Sequence, residues 1–422
     1  MDRLRITAVF FLLLSSAMPV GAAPWQDALF DKTGFEATGF VDMRAGIRLQ
    51  NDPHEDDASL AETRIQLKLG REVGRGWLTL KGDLVADGVE EEVRAELREL
   101  NLALSPLDWM DVKAGRQVLT WGTGDLLFIN DLFPKDWVAF FSGRDDEYLK
   151  APADAVKVSV FSHMVNVDLA YLPLAGRSEY ISGSRLSYWN GSRLAGQNTP
   201  FVADAPDKIC TTDELAVRLH KNLAGVELAL YGFSGYWKTP EGIDPASGRG
   251  IYPRLGVWGG SARGPFLGGI ANLEAGYYLS PDDRDGGDPL VRNSEIRFLA
   301  GFEREIGRDL TGAVQYYQEW MDDHGPYLAN LFPGTPAKDE HRHLFTLRLT
   351  KLLLDQNLRL SFFIYYSPSD RDWYLRPQAL YKITDQLAVS GGVNLFGGSD
   401  DHTFFGQFEN NTNAWLGVRS SF

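Results

Sequence analysis

Hydrophobic and polar positions alternate along most of this chain. From Phe35 to Leu49, one face carries Phe35, Ala37, Gly39, Val41, Met43, Ala45, Ile47 and Leu49, and the other Glu36, Thr38, Phe40, Asp42, Arg44, Gly46 and Arg48. That is strict period two over 15 residues, the signature of a strand with one apolar and one polar face. Soluble strands usually run to about 5–6 residues, whereas a tilted membrane strand needs about 9–11. The pattern recurs at Arg64–Leu69, Trp77–Val85, Arg94–Leu104 and Asp111–Trp121. It continues through Ala155–Phe161 and Val165–Tyr171, then through hairpins that end at Trp415–Phe422. The phase slips near Arg98 and Glu99, which predicts a bulge. Ser105-Pro106 is expected to turn the chain.

Eighteen such strands are expected, with short turns alternating with longer connections. In lipid, every backbone N–H and C=O must be paired, so strands can span only as a closed barrel. The predicted fold class is therefore all-β: a single transmembrane antiparallel barrel with short periplasmic turns and long external loops. Residues 1–22 read as a secretory signal peptide, with a charged start, an apolar stretch Ile6–Val20 and small residues Gly21, Ala22 and Ala23. Residues 23–422 form the barrel. No later stretch is apolar enough for a membrane helix. Localisation in the outer membrane of a Gram-negative bacterium follows. The expected partners are outer-membrane lipid, lipopolysaccharide and the outer-membrane assembly machinery.

The chain's net charge of −15 falls to −16 once residues 1–22 are removed. An acidic exported chain is a poor nucleic-acid binder. The single cysteine, Cys210, cannot form an internal disulfide, and no metal-type cysteine spacing exists. Acidic runs such as Asp52-Pro-His-Glu-Asp-Asp57 lack the EF-hand pattern and read as solvated surface. No cofactor or metal is expected. None of the 7 histidines sits in a nucleophile motif, and His341-x-His343 reads as a strand-start pair. An enzyme is therefore not expected, and an outer-membrane hydrolase is only the third reading.

The polar faces should line a lumen. Its basic candidates are Arg44, Arg48, Arg64, Lys68, Lys81, Arg94, Arg98, Lys113, Arg348, Arg359 and Arg376, together with Lys157, Arg218 and Arg297. Arg44, Arg48, Arg64, Lys68 and Lys81 fall on the first three strands, which allows either a basic track or a lumen neutralised by ion pairs.

One connection differs from the others. Residues 120–153 carry Leu126, Leu127, Phe128, Ile129, Leu132, Phe133, Trp137, Phe140 and Phe141. A long apolar loop is usually functional, and this one is expected to fold into the lumen and narrow it. Pro134 favours a first helical turn, placing Phe133, Trp137 and Phe141 on one face at four-residue spacing. Phe128 joins them as a constriction residue. The charged run from Arg144 to Glu147, with Lys150, is expected to stay near water. The competing placement is an external lid.

Gly115-Arg116-Gln117 with Trp121-Gly122 resembles a strand of alginate-export-type barrels and of outer-membrane proteins that accompany resistance-nodulation-division exporters. That resemblance implies a barrel of about eighteen strands and a channel. The terminal strand ending in Phe422 is similar to the signal read by the assembly machinery. The leading functional expectation is a porin-like channel for passive passage of a polar or anionic, small or linear solute. The alternative is an outer-membrane component serving an envelope lipid or efflux exporter.

Overall fold

The computed structural model describes residues 24–422. The expected signal peptide, residues 1–22, lies outside them. A helix at Pro24–Thr33 precedes eighteen barrel strands that begin at Glu36–Arg48 and end at Asn413–Ser421. Each barrel strand pairs antiparallel with its neighbours. The last strand pairs with the first through Phe40↔Ser421 to Arg48↔Asn413, which closes the sheet. Closure leaves no edge, so every strand finds hydrogen-bond partners on both sides.

Burial alternates as the sequence pattern requires. On the first strand Phe40, Asp42, Arg44, Gly46 and Arg48 are buried inside, while Ile47, on the opposite face, is 59% exposed. Leu230 and Leu416 are likewise more than 60% exposed on the outer surface. This inversion, with polar side chains inside and apolar ones outside, is stable only against lipid. Trp258, Tyr277, Trp320, Tyr366 and Trp373 face outward near the ends that lead into the long connections, forming an aromatic belt at that membrane boundary. Both described termini lie at the short-turn end, where Glu36 pairs with Gly70 and Phe422 exchanges backbone hydrogen bonds with Gly39.

The bulge expected near Arg98 is present. Lys81 pairs with Glu99 and Gly82 with Leu97, so Arg98 is the extra residue. Two boundaries differ from expectation. The fourth strand runs through Ser105-Pro106 to Leu107, and the chain turns at Asp108 and Trp109 instead. A proline is tolerated there because it sits at the strand's end, where a ladder hydrogen bond is not required. The second strand spans Ala58–Val73, well beyond Arg64–Leu69, because its inward Glu62 and Arg64 pair with each other and Arg64 also pairs with Asp83 and Glu96 on the next two strands.

Candidate functional site: the lumen and its inserted segments

Residues 118–152 leave the wall between the fifth strand, Met110–Gln117, and the sixth, Ala153–Val160. The Gly115–Gly122 stretch makes that departure possible. Gly115 has φ +118°, and a Cβ there would come within 2.2 Å of the Leu100 carbonyl oxygen. Only glycine meets both demands. Gln117 is buried and its amide donates to the carbonyls of Lys113, Gly115 and Ala155, holding the strand end where the ladder stops. Trp121 packs edge-on against Phe133, with centroids 5.0 Å apart. Gly122 has φ +81°, and a Cβ there would meet the Glu274 carboxylate at 2.9 Å. Arg116 turns outward and pairs with Asp154 at 2.9 Å.

From there the segment passes round the inner wall. Glu274, on the eleventh strand (Gly269–Leu279), accepts from the backbone of Thr123 (2.8 Å), Gly124 (3.2 Å) and Asn130 (2.7 Å). Asp125 pairs with Arg348 at 3.0 Å, and its backbone N–H donates to Gln315 at 2.8 Å. The Leu126 carbonyl accepts from the Tyr365 hydroxyl at 3.1 Å, and the Phe140 carbonyl from the Tyr374 hydroxyl at 3.3 Å. Phe141 packs against Phe396 and Phe408. Arg144 then reaches Glu62 at 2.8 Å, and Tyr148 lies under the guanidinium of Arg64 at 4.1 Å. The segment thus touches strands on every side of the barrel before rejoining the wall.

The helix within it begins later than the sequence suggests. It spans Trp137–Ser142, with Asp136 as N-cap accepting from the Ala139 N–H. Asp is a strong N-cap, and it outcompetes Pro134 as the start signal. Phe133 therefore lies outside the helix. Trp137 and Phe141 stack, with centroids 6.4 Å apart. Phe133 and Phe141 are 2% exposed and packed away, whereas Phe128 and Trp137 are only half-buried. Within the charged run Asp146 and Glu147 stay exposed, as expected, and Arg144 does not. Arg144 is buried because Glu62 and Asp87 together neutralise it.

Most of the basic candidates sit in ion pairs. Arg44 meets Asp42 at 2.8 Å and Asp145 at 3.3 Å. Arg48 donates to the carbonyls of Asp56, Ala58 and Arg185. Arg64 is held by Glu62, Asp83 and Glu96. Arg94 pairs with Glu92 and Glu96, Lys81 with Glu147, and Lys113 with Glu99. Arg98 donates to the carbonyls of Glu147 and Lys150. Arg348 spans Asp125 and Glu303, and Arg376 meets Asp146 at 2.8 Å beneath Phe140. Lys157, Arg218 and Arg297 pair with Asp168, Glu227 and Glu295 respectively. Lys68 and Arg359 face inward at the short-turn mouth, where they are exposed.

A second inserted segment escapes the sequence pattern. Residues 173–213 form the long connection after the seventh strand, and within it Arg185, Leu186 and Ser187 are buried. Arg185 pairs with Asp87 and donates to the Ser59 carbonyl. Ser187 donates to Asp52 at 2.6 Å. The acidic run at Asp52 is therefore partly buried under this segment rather than solvated. Its polar composition hid the insertion, because here burial is driven by ion pairing.

The geometry leaves a cavity of about 310 Å³ beside the first part of the aromatic segment. Thr120, Asp125, Phe128, Asp131, Lys150, Arg263, Glu303, Gln315 and Arg348 line it. Lys150 donates to the Thr120 hydroxyl, which in turn bonds Asp131. Among the described residues, neither Lys150 nor Arg263 has a carboxylate partner. Arg263, absent from the basic set above, lies near the end of the strand Arg254–Phe266.

No protein-family model matches the chain, and no curated protein matches it. Solved structures do. Pseudomonas aeruginosa OccD3 (OpdP) superposes with a TM-score of 0.55 at 11% identity, covering 92% of this chain and 91% of that one. Pseudomonas aeruginosa OccK5 (OpdH) gives 0.56 at 10%, covering 92% and 98%. Acinetobacter baumannii OccAB1 gives 0.55 at 9%, covering 92% and 96%. At these identities the likeness establishes a shared barrel fold. The alginate-export family suggested by Gly115–Gly122 is not shown by it. An eighteen-strand antiparallel barrel with an apolar outer face belongs in the outer membrane of a Gram-negative bacterium.

Proposed function

We propose that this protein is a porin-like channel for passive passage of a small polar solute, with a preference for anionic solutes. The observation that carries this reading is the aromatic segment encircling a polar lumen beside an open cavity. A barrel of this size leaves an aqueous passage unless loops fill it, and here a loop enters without removing the cavity. Half-buried Phe128 and Trp137 set the aperture. The anion preference rests on Lys150 and Arg263. Asp125 and Glu303 neutralise Arg348, the third cation at the cavity, whereas these two remain available to steer an anion through a narrow aqueous path.

Swelling of liposomes carrying the purified protein tests this. Small anionic solutes should enter faster than neutral or cationic ones of equal size. Lys150→Gln with Arg263→Gln should remove the difference while neutral solutes enter unchanged. Equal entry of all three classes into the unaltered protein would refute the anion preference, and no entry at all would refute the channel.

A further inference from the structure

His341 and His343 play no part in the lumen, since both face outward. Leu344 and Thr346 on the same strand are buried inside, which places the odd-numbered residues 341, 343 and 345 on the outer surface. The adjacent strand, Leu310–Met321, presents Tyr316, Gln318 and Trp320 beside them. These residues flank the connection 322–340, so they lie at the barrel end opposite the short turns.

The polar groups on this surface form an ordered chain. The Gln318 amide nitrogen is a donor, so His341 Nδ1 accepts from it at 3.2 Å and the His341 proton sits on the outward Nε2. The Tyr316 hydroxyl donates to Gln318 Oε1 at 3.3 Å. His343 Nδ1 and the Tyr316 hydroxyl share a hydrogen bond at 2.9 Å, so Nε2 is the imidazole's other polar atom. The two imidazoles stack with centroids 6.4 Å apart. Trp320 lies against His341 at 5.4 Å, is 45% exposed, and donates its indole N–H to Glu340.

A lipid-facing surface gains nothing from a hydrogen-bonded donor and acceptor array unless something polar meets it. We infer that this strip is a docking site for the saccharide headgroup of lipopolysaccharide in the outer leaflet. An exposed indole offers a flat apolar face for a sugar ring. The Nε2 atoms of His341 and His343 and the Glu340 carboxylate supply the donors and acceptors that hydroxyls require. Glu340, exposed beside Trp320, adds a carboxylate acceptor suited to sugar hydroxyls.

The test uses the full protein refolded in detergent, with lipopolysaccharide carrying its complete core saccharide and phosphatidylglycerol as the two probes. Binding is read by native mass spectrometry and by the temperature at which the barrel unfolds on gels. Lipopolysaccharide should be retained and should raise the unfolding temperature more than phosphatidylglycerol does. Trp320→Ala and His343→Ala should each weaken lipopolysaccharide retention about tenfold, as expected for loss of one aromatic contact, and leave phosphatidylglycerol unaffected. Trp258→Ala, an outward aromatic away from the strip, serves as the control for general loss of lipid contact. Equal retention of both lipids by the unaltered protein would overturn the site. So would full retention of lipopolysaccharide by both variants in the folded state, or a dimer that forms through this face and excludes lipid.

Discussion

The Glu274 carboxylate holds Asn130 twice, accepting from its backbone N–H at 2.7 Å and from its side-chain amide at 3.0 Å. The same carboxylate also takes the N–H groups of Thr123 and Gly124 and the Thr123 hydroxyl. One buried side chain on the wall thus satisfies the polar groups of an irregular backbone that has no ladder of its own. Hydrogen bonds to a charged acceptor contribute about 1.5–3 kcal/mol each. Glu274→Ala should therefore free the first part of the inserted segment while the barrel stays closed. Hydrogen exchange over 120–131 should accelerate by at least tenfold, and single-channel records should show larger and noisier currents. Unchanged exchange would mean that the segment is held elsewhere.

The two glycines of the departure stretch serve different ends. Gly115→Ala places a Cβ against the Leu100 carbonyl at a left-handed φ, and strain of this kind costs about 1–3 kcal/mol. It should lower the unfolding temperature of the whole barrel. Gly122→Ala crowds the Glu274 carboxylate and should reproduce the Glu274→Ala currents with little change in barrel unfolding. If the two substitutions had the same effect, this division of roles would be wrong.

Asp87 accepts ion pairs from Arg144 in the aromatic segment and from Arg185 in the second inserted segment. Arg94 approaches the same carboxylate at 3.5 Å. Removing one partner of a buried pair leaves an uncompensated charge and costs about 3–5 kcal/mol. Asp87→Asn should loosen both segments together, seen as increased protease access at 185–197 and at 140–148. Loosening of only one would show that the segments are independent.

Glu55 makes the second segment sensitive to pH. Burial pushes its carboxyl up to about 7, with Asp52 adding to the shift and Arg48, 3.9 Å away, opposing it. Gly196 and Gln197 pack over it from the inserted segment. A carboxyl whose folded value exceeds its ordinary 4.5 binds its proton more tightly when packed. The packing it supports is fully present below about 4.5 and is lost as pH rises through about 7. Protease access near 185–197 should rise across that window, and Glu55→Gln should abolish the rise. A pH-independent profile in the unaltered protein would contradict the assignment.

The barrel wall was readable because its cause is local. Period-two alternation records which side meets lipid, and even the bulge at Arg98 leaves a phase slip. The path of the inserted segments was not readable, because its causes are distant in sequence. Asn130 depends on Glu274, 144 residues later, and Arg144 on Glu62, 82 residues earlier. A basic or acidic residue looks solvated until its partner across the lumen is known. The helix start was available in principle, since Asp136 is a strong N-cap three residues before Ala139. Arg263 was hidden by the glycines around it, which blur the end of a strand.

The most direct measurement is single-channel conductance of the intact protein beside a variant in which residues 126–148 are replaced by a short Gly/Ser bridge, each verified as folded by heat-modifiable migration. The aromatic segment narrows the lumen if the intact conductance is small and the variant's is several-fold larger. Equal conductance in the two folded proteins, or none in either, would contradict that account.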